Sequence, residues 1–488
     1  MTSSALTCCL PLGEVPRLDP GAFREELLSR LDHGLRVLTL FGRRRDGAVD
    51  VTAVLQDAGG ELQLSRTVFQ AGSGYHALTT ERPELHCFER ELHEQTGLRI
   101  AGHPWLKPIR HEGEVSVDSY PFYEVEGKEV HEVAVGPIHA GVIEPGAFRF
   151  SCFGEQVHHL EIQLGYQHRG VERRLLDGDP RLLGPLVETI SGDTSVGHAW
   201  AYCAAVERLA GCEPPLEADV GRAVALELER VAMHLAGLSG LAADLGFLQG
   251  ATTYGRLRTT AINTTMRLCG SRFGRTAVRP GGVKLQLSPE LLELLGANVE
   301  LLRRDLASVN DLFLSARTVQ HRLRGVGSLP TNLAKELGVI GLAGRASGVA
   351  LDARQLARAG IYRLLPIQPF VLFEGDCLSR AKLRIEELGA SLSWLAVVLE
   401  RHANWNQPLS ALDELAPNRI AVSVVEGWRG EIVHCLETDS SGALCHYKVQ
   451  DPSLRNWLGL ALAVRGNEIS DFPICNKSFD LSYCGNDL

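Results

Sequence analysis

Twelve cysteines are the side chains here best able to hold a soft metal, and their spacing argues against it. Cys8, Cys9, Cys87, Cys152, Cys203, Cys212, Cys269, Cys377, Cys435, Cys445, Cys475 and Cys484 include no C-x-x-C pair. That pair is how neighbouring thiolates usually grip zinc or an iron-sulfur cluster. The cysteines read instead as small buried thiols in a reducing compartment. Other residues could move protons or fix charge. His139, behind Gly136-Pro137, can donate a proton or act as a hydrogen-bonded structural group. The plain structural alternative for Arg169 is a buried pair with a carboxylate such as Glu172, and Asp376, Arg380, Arg384 and Glu387 read as a buried ion network.

Positioning such groups needs a frame, and its elements are legible in the periodicity. Leu35 to Phe41 and Val49 to Leu55 are strand-like runs separated by Arg43-Arg44-Arg45-Asp46-Gly47, and Asp-Gly is a strong turn signal. Leu62 and Leu64 follow Gly59-Gly60 as a third run, and Leu85, Phe88 and Leu92 recur at helical spacing. This predicts a small α+β unit ending near Gly127. Beyond Gly136 helices dominate. Val224, Leu228, Val231, Leu235, Leu238 and Leu245 form one stripe, with Glu227, Glu229 and Arg230 off it. Val196, Ala199, Cys203, Val206 and Leu209 mark another apolar face, and Ser288-Pro289 opens a helix that buries Leu291, Leu294, Leu295 and Leu302. Such stripes predict helices packed into a bundle. Near the end the period returns to two at Ile420, Val422 and Val424, and Ser440-Ser441-Gly442 divides later strand-like runs. The expected fold class is α+β, with residues 1–127 a small α+β domain and 128–488 a mainly helical domain carrying small β elements.

At 488 residues the chain is long enough for two or three domains, and 45% apolar with 22% charged residues is an ordinary globular composition. No window approaches the roughly eighteen apolar residues of a membrane span, and Met1 to Pro11 lacks a secretory signal pattern. A cytoplasmic chain, docked on a membrane at most through partners, is expected. Forty-nine basic against fifty-nine acidic residues give a net charge of −10, so no nucleic-acid binding is expected.

Several runs then carry a resemblance. Glu89-Arg90-Glu91, Gly97 and Gly102-His103-Pro104 resemble the signature of the complex I 30 kDa-type subunit, with Thr96 where an aromatic residue is usual and Glu94 where aspartate is usual. After Val135, Gly136-Pro137-Ile138-His139-Ala140-Gly141, Glu144-Pro145-Gly146, Phe148-Arg149-Phe150 and Gly165-Tyr166-Gln167-His168-Arg169-Gly170-Val171-Glu172 follow in the order of group 4 nickel-iron hydrogenase large subunits. Leu226-Glu227-Leu228-Glu229-Arg230, Pro280-Gly281-Gly282-Val283, Arg345-Ala346-Ser347-Gly348, Gly375-Asp376 and Glu426-Gly427-Trp428-Arg429-Gly430-Glu431 continue the series. The complex I 49 kDa subunit has the same plan. A 30 kDa-like domain fused to this larger one is similar to formate hydrogenlyase-type large subunits, and Ala140 and His198 are the hydrogenase-like choices at their positions.

What the family needs for hydrogen chemistry is missing. The resemblance implies four thiolates, from a C-G-x-C pair and a later C-x-x-C pair, which as soft anionic donors bridge nickel and iron. Here the first pair is Ser191-Gly192-Asp193-Thr194, and the second aligns with Ser482-Tyr483-Cys484-Gly485. The ligand positions are therefore Ser191, Thr194, Ser482 and Gly485, and no hydrogen oxidation or evolution is expected at this subunit. A chain that stops at Leu488 is also expected for a subunit that never receives the metal. The same resemblance places His139 at a quinone head group, with Gly192 where complex I has its quinone tyrosine. It places Glu144 like a proton-path carboxylate, and His168 and Arg169 beside an iron-sulfur cluster of a neighbouring subunit. No cofactor is expected to be bound by the chain itself, with quinone as an alternative. The expected role is a peripheral-arm subunit of a heteromeric, membrane-bound complex coupling electron transfer to ion translocation. A small 4Fe-4S subunit and antiporter-like membrane subunits are the implied partners. A quinone-reducing subunit of the NADH dehydrogenase type, whose complex binds NAD, and a non-catalytic scaffold are the alternatives.

Overall fold

A computed structural model describes residues 3–112, 117–127, 129–139, 143–285, 288–401 and 409–488. Ala140 and Gly141, the end of the run that starts at Gly136-Pro137, lie outside the described residues. The chain is 44% helical and 20% strand, as an α+β reading requires.

The first hairpin forms where Asp46-Gly47 predicts it. Arg36–Arg45 and Ala48–Gln56 pair antiparallel, and Asp46 and Gly47 both take positive φ, the geometry that matches a hairpin to strand twist. Leu62–Gln70 adds to this sheet, with the helices Pro20–Asp32 and His86–Thr96 contributing to its core through Phe23, Leu27, Phe88 and Leu92. The N-terminal strand does something else. Leu6–Pro11 pairs antiparallel with Arg419–Glu426 and becomes the edge of a sheet completed by Glu431–Thr438 and Leu444–Gln450. The first residues are thus built into the C-terminal part of the structure, although the sequence groups them with residues up to 127. Ser4 reinforces this by bonding the buried Asp219 carboxylate through its amide and hydroxyl, each at 2.6 Å.

The centre is helical. Leu216–Asp244 packs against Leu248–Cys269 and Cys377–Arg401, while Ser195–Leu209 lies on the C-terminal sheet. The predicted stripe is buried, but so is the side that should face water. Glu227 and Arg230 are fully buried and Glu229 nearly so. A helix enclosed on all sides must neutralise its charges internally. Glu227 does so with Arg230, Arg354, Tyr362 and Ser391. Among the described residues no helix is long and apolar enough to cross a membrane.

Candidate functional site

The two segments expected to face each other do so. Residues 191–194 form a turn in which Thr194 N donates to Ser191 O (3.0 Å), and the helix Ser195–Leu209 starts directly after it. The helix Phe472–Phe479 ends at Asp480 in a left-handed conformation, and Ser482 then caps the short helix Tyr483–Asp487 by accepting from Gly485 N at 2.9 Å. The Ser191 and Ser482 hydroxyls lie 2.9 Å apart and are buried.

An ion pair sits with them. Asp193 accepts from both terminal nitrogens of Arg429, each at 2.7 Å, and from Ser191 Oγ (2.9 Å) and Thr194 Oγ1 (3.1 Å). Arg429 also donates to Thr194 Oγ1 and to the Asp480 carbonyl, so one guanidinium joins the two segments. Trp428 supports it from below, its ring 3.8 Å from the guanidinium and its indole N–H donating to the Asp193 carbonyl. Burial pushes the Asp193 carboxyl up, but Arg429 and the two hydroxyls more than offset this and hold it at about 2.

Gly485 has no side chain to offer, and its missing Cβ would lie 2.6 Å from the Asp451 carboxylate. Asp451 therefore fills that space. It caps the helix Pro452–Ala463 through Ser453 N and begins a buried row of bonds. Asp451 Oδ2 lies 3.1 Å from His198 Nε2, His198 Nδ1 lies 3.1 Å from His434 Nε2, and His434 Nδ1 lies 2.7 Å from the Tyr447 hydroxyl. Burial above all drives His434 well below its ordinary range, and burial drives Tyr447 well above its own. Behind the turn, burial raises Glu229 to about 8 against the amides of Val196 and Gly197 that bond it. Farther in, Arg345 bridges Glu387 and Glu426, both at 2.8 Å.

The other residues singled out by sequence surround this centre. Arg169 donates to the carbonyls of Thr189 and Ile190, directly before Ser191, and is exposed rather than buried against Glu172. Glu172 instead takes Lys448 as its partner. His168 Nδ1 lies 2.8 Å from the Asp487 carbonyl. The Glu144 carboxyl borders Cys484, which burial and that carboxylate together push up to about 11. His139 Nε2 is 2.9 Å from the carbonyl of Gly146, a residue packed on Tyr483. Asp376, Arg380, Arg384 and Glu387 do not pair with one another as the sequence suggested. Asp376 accepts from Gly325 N and Ser379 N, Arg380 donates to carbonyls and Ser478, Arg384 reaches Asp480, and Glu387 holds Arg345 and His234. Each faces a different element because all four lie on or beside one helix wedged among several.

Sequence reasoning missed Asp193, Arg429, Asp451, His434 and Tyr447 as site residues. Asp193 and Arg429 stand inside the family-like runs 191–194 and 426–431, and an aspartate between two hydroxyls at a lost metal position was the available signal for a replacement charge. Nothing in the sequence marked His434. As a donor set, two serines, a threonine and a glycine offer no thiolate for a soft metal pair, and the charge that joins them is the Arg429 cation bonded to Asp193 and Thr194. These residues do not fit a nickel-iron centre.

Residues 244–416 match the family model described as the 49 kDa subunit of respiratory-chain NADH dehydrogenase. The chain is 30% identical over 355 residues to the D-type component of the NADH-quinone oxidoreductase of Dehalococcoides mccartyi, covering 71% of this chain and 95% of that one. It is 28% identical to the membrane-bound hydrogenase subunit alpha of Pyrococcus furiosus, covering 72% and 85%. Formate hydrogenlyase subunit 5 of Escherichia coli is also 28% identical, over 85% of this chain and 77% of that one. A chain in the structure of the membrane-bound sulfane sulfur reductase, an archaeal respiratory membrane complex, superposes with a TM-score of 0.70 at 25% identity, over 75% of this chain and all of the other.

Proposed function

The chain belongs to the family that joins the 49 kDa subunit of respiratory-chain NADH dehydrogenase to the large subunits of membrane-bound hydrogenases, and on that premise we propose that it is a peripheral core subunit of such a complex, working without a nickel-iron centre. Electron transfer elsewhere in the complex would be coupled to ion movement through the buried charges of this subunit. The observation that carries the reading is the Asp193–Arg429 pair set among Ser191, Thr194 and Ser482. Where the family resemblance implies four thiolates, this chain has three hydroxyls, a glycine and an ion pair.

The face with His139, His168 and Arg169 would take a small iron-sulfur subunit. The exposed Arg169 guanidinium, fixed by two carbonyls beside Ser191, would place positive charge toward that subunit's cluster and favour its reduced form. Antiporter-like membrane subunits would be reached through this partner. The quinone reading keeps His139 but has Gly192 at the tyrosine position, and His139 already spends one ring nitrogen on the Gly146 carbonyl.

The test is reconstitution of the complex with electron transfer to a quinone analogue, comparing wild type with His139→Ala. Equal transfer in both removes the quinone role, and loss confined to His139→Ala establishes it. Absence of transfer in both supports the scaffold.

A further inference from the structure

The strongest reactive constellation outside the site is a pair of buried thiols. Cys377 opens the long helix Cys377–Arg401, and Cys475 lies on Phe472–Phe479, the helix that leads into Ser482 and Gly485. Their sulfurs are 3.9 Å apart, and neither residue has measurable exposure. Both rest on the backbone of Gly327, where an added Cβ would lie 2.6 Å from Cys475 Sγ and 3.3 Å from Cys377 Sγ, so no side chain separates them.

Against its burial, the polar groups around Cys377 favour its thiolate. Arg380 Nη2 donates to the sulfur at 3.3 Å, and Ser478 Oγ lies 3.5 Å away. Its position in the first turn of a long helix adds the favourable end of the helix dipole. Burial alone would raise this thiol, but Cys475, Arg380 and Ser478 more than offset it and bring it below the ordinary thiol range. Cys475 moves the other way, held protonated by its bond to Cys377 and by burial. The pair is thus divided into a nucleophile and a resolving thiol.

We propose that Cys377 and Cys475 form a peroxide-reactive dithiol. The Cys377 thiolate attacks one oxygen of hydrogen peroxide, the O–O bond breaks, and a sulfenic acid and hydroxide result. The Cys475 sulfur then attacks the Cys377 sulfur, displacing the hydroxyl as water as Cys475 gives up its proton, and a disulfide is left. The burial selects the oxidant, since a small neutral peroxide can diffuse to the sulfurs whereas a bulky disulfide cannot reach them. The product would link the helix Cys377–Arg401 to the segment carrying Ser482. This inference does not depend on the proposed function.

The test treats the intact folded chain with excess hydrogen peroxide, quenches it with catalase, then unfolds the chain in urea with iodoacetamide so that every remaining thiol is blocked, and maps the peptides by mass. Expected is a linked pair of peptides containing Cys377 and Cys475, two hydrogen masses lighter than their sum and separated by dithiothreitol. Cys8 and Cys9, whose thiols burial pushes up, stay alkylatable. In Cys475→Ser the sulfenic acid on Cys377 persists and is trapped by dimedone. Alkylation of Cys377 and Cys475 in the peroxide-treated chain to the same extent as in the untreated chain overturns the proposal. A Cys475→Ser chain without a dimedone adduct on Cys377 does so equally.

Discussion

The Asp193 carboxylate and the Arg429 guanidinium meet through two bonds of 2.7 Å in the space between the turn 191–194 and the segment 480–485. A single organic cation therefore connects the two segments, through the Asp193 carboxylate on one side and the Asp480 carbonyl on the other.

Breaking it has an asymmetric cost. Arg429 is 6% exposed, whereas Asp193 keeps 37% of its side chain in contact with solvent. Asp193→Ala strands a buried guanidinium and is expected to cost about 2 kcal/mol, the range for a charge-assisted bond to a partly exposed group. Arg429→Lys keeps the charge but loses the bidentate geometry, and is expected to destabilise by a similar amount. Urea unfolding measures both. Because the Asp193 carboxyl lies lower folded than unfolded, this stabilisation is present above pH 4 and lost as pH falls toward 2.

Gly485→Ala forces a Cβ against Asp451 and should cost about 1–3 kcal/mol. In an Asp451→Ala background the clash is gone, so the same substitution should cost less than half as much. A double-mutant cycle reads the difference. The same crowding opposes a cysteine at 485.

Glu229 supplies a pH dependence of opposite sign. Its carboxyl is raised to about 8 from 4.5, so the folded state holds a proton that the unfolded state has released. Its contribution is greatest below about pH 4.5 and declines by up to about 1.4 kcal/mol per pH unit as pH rises toward 8. Glu229→Gln should remove that slope, as denaturation measured across pH 5–8 would report.

The row from Asp451 to Tyr447 has one proton order that satisfies every bond with both rings neutral. Tyr447 donates to His434 Nδ1, His434 Nε2–H donates to His198 Nδ1, and His198 Nε2–H donates to Asp451. Nitrogen-15 spectra should show both histidines protonated at Nε2 only. His434→Phe should leave two buried polar groups unpaired and cost about 2–4 kcal/mol.

Local signals carried the elements: Asp46-Gly47 marked the hairpin, Ser288-Pro289 the helix start, and the alternation at Ile420, Val422 and Val424 a strand. Long-range pairing was not legible. Nothing local in Leu6–Pro11 announces that it will add to Arg419–Glu426, because edge pairing is decided by the partner surface. The same holds for the site. The hydroxyls and the glycine at positions 191, 194, 482 and 485 are read directly from the sequence, but the cation among them comes from position 429 and the carboxylate against Gly485 from 451. Helical periodicity likewise failed for Glu227 and Arg230, because it assumes a polar face meets water, and here that face meets other helices.

Nickel is the decisive measurement. Anomalous scattering at the nickel edge from crystals of the purified complex, with elemental analysis of the same sample, should give no peak among Ser191, Thr194, Ser482 and Gly485 and no stoichiometric nickel. A nickel peak between those residues, with Arg429 displaced from Asp193, would contradict the account.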